Sequence, residues 1–169
     1  MKTSHSSATP TTGQVDGLIK LAAHADCPVL ITGPSVRQRE AIARLIHRGG
    51  ELVRVDCTSL DDSVFASALD HTTVGTLFLD EIDAMSPPMQ ARLSRFLEQQ
   101  VIRRTSHSSA GLVRIIAGSD GNLMTRIAGN QFSATLFYRL NLIHIQVSEL
   151  SSTPGPPRSF SPPHVEGQD

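Results

Sequence analysis

An acid pair follows an aliphatic run near the middle of the chain, where TLFLD at residues 76–80 ends in Asp80 and Glu81 comes next. Carboxylates placed directly after a buried strand lie at the carboxyl edge of a parallel sheet, which is where ligands of open α/β sheets bind. One carboxylate can bind a hydrated magnesium ion while the second orients an attacking water. The same pair could instead be solvated at the strand end, because acidic residues are ordinarily exposed.

A second group of candidate residues lies in the stretch VLITGPSVRQREAIARLIH, residues 29–47, which predicts a buried strand, a tight loop and an amphipathic helix. Such a loop gathers backbone N–H groups at the positive end of a helix dipole, where an α/β protein would hold a phosphate. Gly33 matches the first position of the phosphate-loop pattern G-x-x-x-x-G-K-[ST], whereas Gln38 and Arg39 replace its second glycine and its lysine. The candidate phosphate-contacting residues are Gly33, Pro34, Ser35, Val36, Arg37, Gln38, Arg39 and Glu40.

The elements that would position these groups follow from the hydrophobic pattern. Short aliphatic runs alternate with helical patterns, which is typical of a parallel sheet covered by helices on both faces. Five runs predict strands, at residues 28–32, 52–55, 76–80, 112–117 and 142–147. The predicted fold class is therefore α/β, with a five-stranded parallel sheet between helices.

Two helices have clear sequence signals. The helix after the first strand is predicted to place Ile42, Leu45 and Ile46 on one apolar face. A later helix has Ser86 as its N-cap and Pro87 at its first position. Its buried face is predicted to hold Met89, Leu93, Phe96 and Leu97.

Composition limits the functional class. The 169 residues carry a formal net charge of -1, which argues against a non-specific nucleic-acid binder because such binding needs an excess of Lys and Arg. No run approaches the ~20 apolar residues of a membrane span, and the start lacks a signal-peptide core, so we expect a cytoplasmic protein without a membrane partner.

Cys27 and Cys57 lack metal-site spacing and are expected to be free thiols. One domain at 15–150 is predicted between a disordered tail at 1–14 and a disordered Pro/Ser-rich tail at 151–169.

Several segments, taken in order along the chain, resemble the AAA+ central domain of bacterial enhancer-binding proteins, which activate sigma-54 RNA polymerase. The matching segments are PVLITGPSVRQREAIARLIH, VDCTSL, GTLFLDEIDAMSPPMQARLSRFLEQQVIRR, VRIIAGSD and FSATLFYRLNLIHIQV. The resemblance implies a P-loop NTPase/AAA+-like three-layer sandwich with ATP and magnesium as ligands. It assigns the metal to Asp80, catalysis to Asp80, Glu81 and an arginine finger at Arg139, and contact with the γ-phosphate to Asp120.

The sequence departs from the family pattern at several of these positions. Val36 and Gln38 replace glycines, and neither side chain allows positive φ or close backbone approach to a phosphate as glycine does. Arg39 keeps the charge of the lysine on a wider planar fork. Asp56 and Asp120 stand where the family has asparagines, the first orienting the catalytic glutamate and the second sensing the γ-phosphate. Together these changes predict weak nucleotide binding or none.

Other family elements have no counterpart in the sequence. Ser133 occupies the place of the first of two arginine fingers. Between FASALD and VGTLFLDE the chain has only HTT, where the family inserts the G-A-F-T-G-A loop that touches the sigma factor. We also expect no helical lid after the fifth strand, no receiver domain and no DNA-binding helix-turn-helix.

Three functional hypotheses follow. The favoured one is a non-catalytic or weakly nucleotide-binding regulator of transcription that contacts AAA+ subunits, either its own copies or a full-length enhancer-binding protein. Direct contact with sigma-54 is not expected, because the G-A-F-T-G-A loop is missing. The alternative is a response-regulator-type ATP-binding AAA+ ATPase with an unusual loop. The third is a remnant of a longer activator without a selected role.

Overall fold

The computed structural model describes residues 12–72, 75–105 and 112–147. Within them, five strands form one parallel sheet in the order β2-β3-β4-β1-β5. The strands are β1 (Val29–Thr32), β2 (Leu52–Asp56), β3 (Gly75–Asp80), β4 (Val113–Ser119) and β5 (Ile143–Gln146). The predicted five-stranded parallel sheet is confirmed, with every strand end within two residues of its expected place.

Helices cover both faces of this sheet. In the described residues they are α1 (Thr12–His24), α2 (Val36–Ile46), α3 (Asp62–His71), α4 (Pro87–Thr105), α5 (Leu123–Ala128) and α6 (Ala134–Leu140), with a 3₁₀ turn at Ile82–Ala84. Residues 12–14, which the sequence analysis places in a tail, are helical because α1 begins at Thr12. Residues 1–11 and 151–169 of the two expected tails lie outside the described residues. None of the helices in the described ranges combines the length and apolar character that crossing a bilayer requires.

Successive residues of the central strand β3 point to opposite faces. Leu77 and Leu79 pack in one apolar cluster with residues of α3, α4 and α6. Phe78 packs in a second cluster with residues of α1 and α2. The strand is therefore buried on both sides, which explains its nearly continuous apolar sequence and holds its carboxyl end in place.

The buried face of α2 differs from the predicted one. Leu45 is 65% exposed, whereas the buried stripe runs through Arg39, Ile42, Ala43 and Ile46. These four residues follow the i, i+3, i+4, i+7 spacing of one helical face. The expectation for Leu45 was wrong because the stripe starts at a buried arginine, which a purely apolar pattern overlooks.

Helix α4 begins as the sequence predicts. Met89 N donates to Ser86 Oγ at 3.3 Å, which confirms Ser86 as the N-cap. Met89, Leu93 and Leu97 are buried as expected, while Phe96 is only partly buried against the same cluster. The helix therefore supplies one wall of the larger core.

The carboxyl edge of the sheet continues beyond the strand ends through backbone hydrogen bonds. Gly33 N donates to Ser119 O at 3.0 Å, and Val147 N donates to Thr32 O at 2.7 Å. The loop after β1 is thereby held against the ends of β4 and β5. This edge carries the candidate site.

Candidate functional site

The side chain of Arg39 is fully buried and lies between the two acids at the end of β3. Its Nε donates to Asp80 Oδ1 at 2.8 Å, with neither side chain exposed. Its Nη2 donates to Glu81 Oε1, and its Nη1 donates to the backbone oxygen of Gly33. One guanidinium therefore joins the loop after β1 to both candidate catalytic carboxylates.

A second arginine, Arg54 of β2, binds the other oxygen of the same aspartate. Its Nη2 donates to Asp80 Oδ2 at 3.3 Å, and its Nε lies 3.7 Å from Glu40 Oε2. Glu40 also accepts a hydrogen bond from Arg44 at 2.6 Å, one turn along α2. With the Arg39 pairs included, three arginines face three carboxylates. This edge of the sheet is thus an ion-pair network whose charges balance internally.

The acids hold Arg39 in its charged form. Burial acts to lower the pKa of Arg39, but hydrogen bonds and charges from Asp80 and Glu81 outweigh it, so the pKa rises. Burial raises the pKa of Glu81, although Arg39 opposes this, and repulsion from Asp80 and Asp83 adds to the rise. Both pKa values rise, which favours the charged form of Arg39, since it faces two carboxylates, but the neutral form of Glu81, which is partly buried and faces one guanidinium and two further acids.

The backbone at Glu81 is unusual. Its φ of 54° and ψ of 45° lie in the left-handed region, which costs a residue other than glycine about 1–2 kcal/mol. Ala84 N donates to Glu81 O at 2.9 Å and closes the 3₁₀ turn that follows. Strained backbone of this kind gathers at functional sites, and here it stands where the carboxylate meets Arg39.

The loop after β1 is more helical than the phosphate-loop pattern implies. Helix α2 begins at Val36, so residues 36–38 belong to its first turn. Ser35 caps that turn, and its Oγ accepts from Gln38 N at 3.4 Å. None of residues 33–40 has a positive φ. The segment therefore lacks the alternating right- and left-handed backbone that turns successive N–H groups toward an anion.

The retained glycine of the pattern has a packing role. A Cβ on Gly33 would lie 2.5 Å from Val147 O, so the loop needs glycine to approach the end of β5. Gly118 of β4 plays a similar part, because a Cβ there would overlap Asp80 Oδ1. Both glycines are thus explained by contacts within the chain, and neither requires a bound phosphate.

The aspartates that replace family asparagines are engaged in local turns. Asp56 Oδ1 accepts from Thr58 Oγ1 at 2.6 Å and from Thr58 N at 3.0 Å, and these bonds lower the pKa of Asp56. Asp120, exposed after β4, accepts from Asn122 N at 2.8 Å. Asp56 does lie opposite Asp80 in the β2–β3 register. Each carboxylate stabilises the turn that follows it.

The positions of the two arginine fingers have contacts within the chain. Ser133 caps α6, and its Oγ accepts from Leu136 N at 3.3 Å. Arg139 donates to Ser94 Oγ at 2.7 Å and pairs with Glu98 Oε1 at 2.6 Å. Arg139 therefore ties α6 to α4, and its role as a finger stays a prediction.

The structure separates the predicted site residues into two groups. A buried or partly buried group, which meets at the carboxyl edge, consists of Gly33, Ser35, Gln38, Arg39, Glu40, Asp80 and Glu81. Pro34, Val36 and Arg37 are exposed around the start of α2, and Asp120 is exposed beyond β4. Arg139 belongs to the separate contact between α4 and α6.

Sequence reasoning missed two structural arginines. Arg54 interrupts the apolar run of β2, but its pairing with Asp80 depends on β2 lying beside β3, which the run does not reveal. Arg114 is buried at the opposite edge, where it donates to Ile46 O at 2.7 Å and to Ala22 O. It thereby donates to carbonyls in the last turns of both α1 and α2, where Ala22 O also accepts from Ala25 N at 3.3 Å.

A magnesium ion or a nucleotide phosphate at this acid pair would have to displace guanidinium groups from the arrangement that the structure shows. Both carboxylate oxygens of Asp80 accept from guanidinium groups, so a divalent cation there would lie beside two positive charges. The helical loop offers no backbone nest for a phosphate. Among the described residues, no group of three or more His, Cys, Asp or Glu side chains is arranged to hold a metal.

Comparison with known proteins places the chain in context. Residues 67–146 match the family model described as the sigma-54 interaction domain. The chain is 30% identical over 158 residues to the Nif-specific regulatory protein of Bradyrhizobium diazoefficiens, with 78% of this chain and 27% of that protein covered. It is 32% identical over 163 residues to the sigma54-dependent transcriptional activator SfnR of Pseudomonas putida, with 81% and 44% covered. The chain thus spans less than half the length of these curated relatives.

A solved structure of a related protein has the same fold. NtrX from Brucella abortus in complex with ATP superposes with a TM-score of 0.68 at 25% identity, covering 87% of this chain and 39% of NtrX. The P-loop NTPase type of fold expected from the sequence is confirmed. The chain is therefore similar to sigma-54-dependent transcriptional activators, and residues 67–146 match the model of the sigma-54 interaction domain.

Proposed function

We propose that this chain is a non-catalytic regulator of transcription, related to sigma-54-dependent activators, which acts through contacts with other proteins. The observation that carries the proposal is the position of Arg39, whose guanidinium binds both acids that would otherwise serve magnesium and water. Arg39 takes the place of the lysine in the phosphate-loop pattern. The residue that should meet a phosphate is instead the counter-ion of the acid pair.

Nucleotide binding would have to displace this arginine. Asp80 is fully buried, and removing one partner of a buried ion pair costs about 3–5 kcal/mol. Because each ~1.4 kcal/mol is a factor of ten, such a cost lowers affinity by roughly two to four orders of magnitude. A nucleotide that binds related sites tightly would bind this one weakly or not at all.

The loop would offer a bound phosphate few new hydrogen bonds. Gln38 N is already bound to Ser35 Oγ, and the first turn of α2 is continuous from Val36. A phosphate would therefore gain fewer backbone donors than an open glycine-rich loop supplies. The loss of backbone donors and the displacement of Arg39 both lower the affinity for a nucleotide.

The chain would then regulate transcription by binding another protein. The family resemblance favours another AAA+ subunit as partner, either a second copy of this chain or a full-length enhancer-binding protein. The short connection between α3 and β3, residues 72–74, leaves no room for the G-A-F-T-G-A loop. We therefore propose regulation through a partner activator and not through direct contact with the sigma factor.

Titration with a fluorescent ATP analogue and magnesium tests the nucleotide part of the proposal. We expect no saturable binding below about 1 mM for the natural chain, given the cost of displacing Arg39. Gln38→Gly with Arg39→Lys should restore binding, while the matched variant Gln38→Gly with Arg44→Lys should not. Saturation of the natural chain at micromolar analogue would overturn the proposal.

Light scattering and pull-down tests address the protein contact. The purified chain should form oligomers or bind a purified enhancer-binding protein from its own host. A chain that stays monomeric at high concentration and retains no activator contradicts this part.

The second candidate function is an ATP-binding ATPase with an unusual loop. It is favoured by the ATP complex of NtrX, whose fold this chain shares, and by the retained Gly33, Asp80, Glu81 and Arg139. The same analogue titration separates the two candidates, because only this one predicts saturation without the restoring substitutions.

A further inference from the structure

An apolar groove lies at the end of the sheet opposite the Arg39 network. It has a volume of about 830 Å³ and is formed between α4, α6 and the amino ends of β1, β4 and β5. Its apolar wall includes Leu97, Val101, Ile102, Val113, Tyr138 and Leu142. We refer to these six residues as the α4–α6 groove.

Four of the six residues of this groove have exposed side chains, whereas Leu97 and Val113 are buried. Ile102 is 64% exposed, Tyr138 is 70% exposed and Leu142 is 59% exposed. Single exposed apolar residues are ordinary, but a contiguous group of them marks a binding surface. The exposed group indicates that an apolar partner covers the groove.

The chain itself contains a suitable segment after β5. Residues 106–111, which follow α4 in the sequence, contain no large apolar side chain. Residues 148–169 contain Phe160, the only Phe, Tyr or Trp outside the described ranges, set among five prolines at positions 154–163. Proline-rich segments are preformed, extended ligands for grooves that present an aromatic side chain.

The segment after β5 is long enough to reach the groove. The groove begins at Leu142, and β5 runs away from it, so the segment must return about 17 Å from Val147 at ~3.3 Å per residue. Twelve residues lie between Val147 and Phe160, and this connection spans up to about 40 Å when extended. Attachment to the same chain also gives an effective concentration near millimolar, at which a weak contact forms.

We propose that residues 154–163 dock in the α4–α6 groove of their own chain, with Phe160 against Tyr138 and Leu142. The docked segment covers the exposed apolar wall. It leaves the Arg39 network untouched, so this inference stands apart from the question of nucleotide binding.

Tyr138 provides a direct probe, because the chain has one tyrosine and no tryptophan. Acrylamide quenching of tyrosine fluorescence is compared between the full natural chain and Phe160→Ala. Release of a segment held at near-millimolar effective concentration should raise the quenching constant about twofold. Val165→Ala, a matched apolar truncation in the same tail, should leave it unchanged.

A groove-side pair of variants completes the test. Ile102→Ser should reproduce the Phe160→Ala effect, and the double variant should show no further increase, since both changes remove one contact. Leu45→Ser is the control, because Leu45 is exposed to the same degree on α2 and does not line the groove. Unchanged quenching in Phe160→Ala overturns the proposal, as does quenching that depends on protein concentration, which would assign the groove to a second copy.

Discussion

Arg39 Nε and Asp80 Oδ1 lie 2.8 Å apart, and neither side chain is exposed. The arginine stands where the phosphate-loop pattern has its lysine, and the aspartate stands where the family resemblance places magnesium. The position expected to bind a phosphate and the position expected to bind magnesium therefore bind each other in this chain. A buried pair of this kind is stable only while both charges are present.

Replacing the arginine should therefore destabilise the fold. Arg39→Met keeps the length and apolar stem of the side chain but leaves Asp80 buried without its main partner. We expect the free energy of unfolding to fall by about 3–5 kcal/mol, measured by urea denaturation monitored by circular dichroism.

The matched control is Arg44→Met on the same helix. Arg44 is 67% exposed and, in the part of the chain that the structure describes, pairs with Glu40, so its loss should change stability little. Similar small losses in both variants would mean that the Arg39 pair does not hold the carboxyl edge together.

Gly33 is a second residue whose replacement should be costly. A Cβ would lie 2.5 Å from Val147 O, so Gly33→Ala must push the loop away from the end of β5. We expect a loss of about 1–3 kcal/mol, as for other overpacked sites. Gly17→Ala, in open space within α1, should instead gain about 0.5–1 kcal/mol because alanine favours helix. A loss for Gly33→Ala no greater than experimental error would contradict the packing role.

The sheet was predictable because its signals are local. Each strand is a short aliphatic run between turn residues, and the alternation of strands with helical patterns is enough to give a parallel sheet. The N-cap at Ser86 was equally local, since one side chain and the next few residues determine it. The extra residues at the start of α1 were missed because their polar sequence carries no apolar period.

The contacts of the candidate site depend on elements that are distant in sequence. Gln38 and Arg39 were recognised as departures, but the sequence did not reveal that Arg39 turns inward to Asp80, 41 positions away. The role of Arg54 required the order of the strands, since it meets Asp80 only because β2 lies beside β3. A charged residue on an apolar stripe is the signal that could have pointed to Arg39.

Arg114 should be essential to the opposite edge of the sheet. It is buried and donates to backbone carbonyls at the ends of α1 and α2. Arg114→Met leaves Ile46 O without this donor, whereas Ala22 O keeps its bond from Ala25 N, so unfolding should become easier by about 1–3 kcal/mol. Arg95→Met, at an exposed position on α4, is the control for the same chemical change. Equal midpoints of urea unfolding for the two variants would argue against the capping role.

The buried thiol of Cys57 should make the fold less stable in alkali. Burial, with repulsion from Asp56 and other acids, raises the pKa of Cys57 from 9.0 to about 12. The unfolded chain then loses this proton more readily than the folded one, so the stabilising contribution is lost as pH rises above 9.0. One unit above the unfolded pKa the loss is about 1.4 kcal/mol. Urea unfolding at pH 7 and pH 10 should therefore show a larger decrease for the natural chain than for Cys57→Ala, by about that amount. An identical decrease in both proteins would place the alkaline sensitivity in other groups.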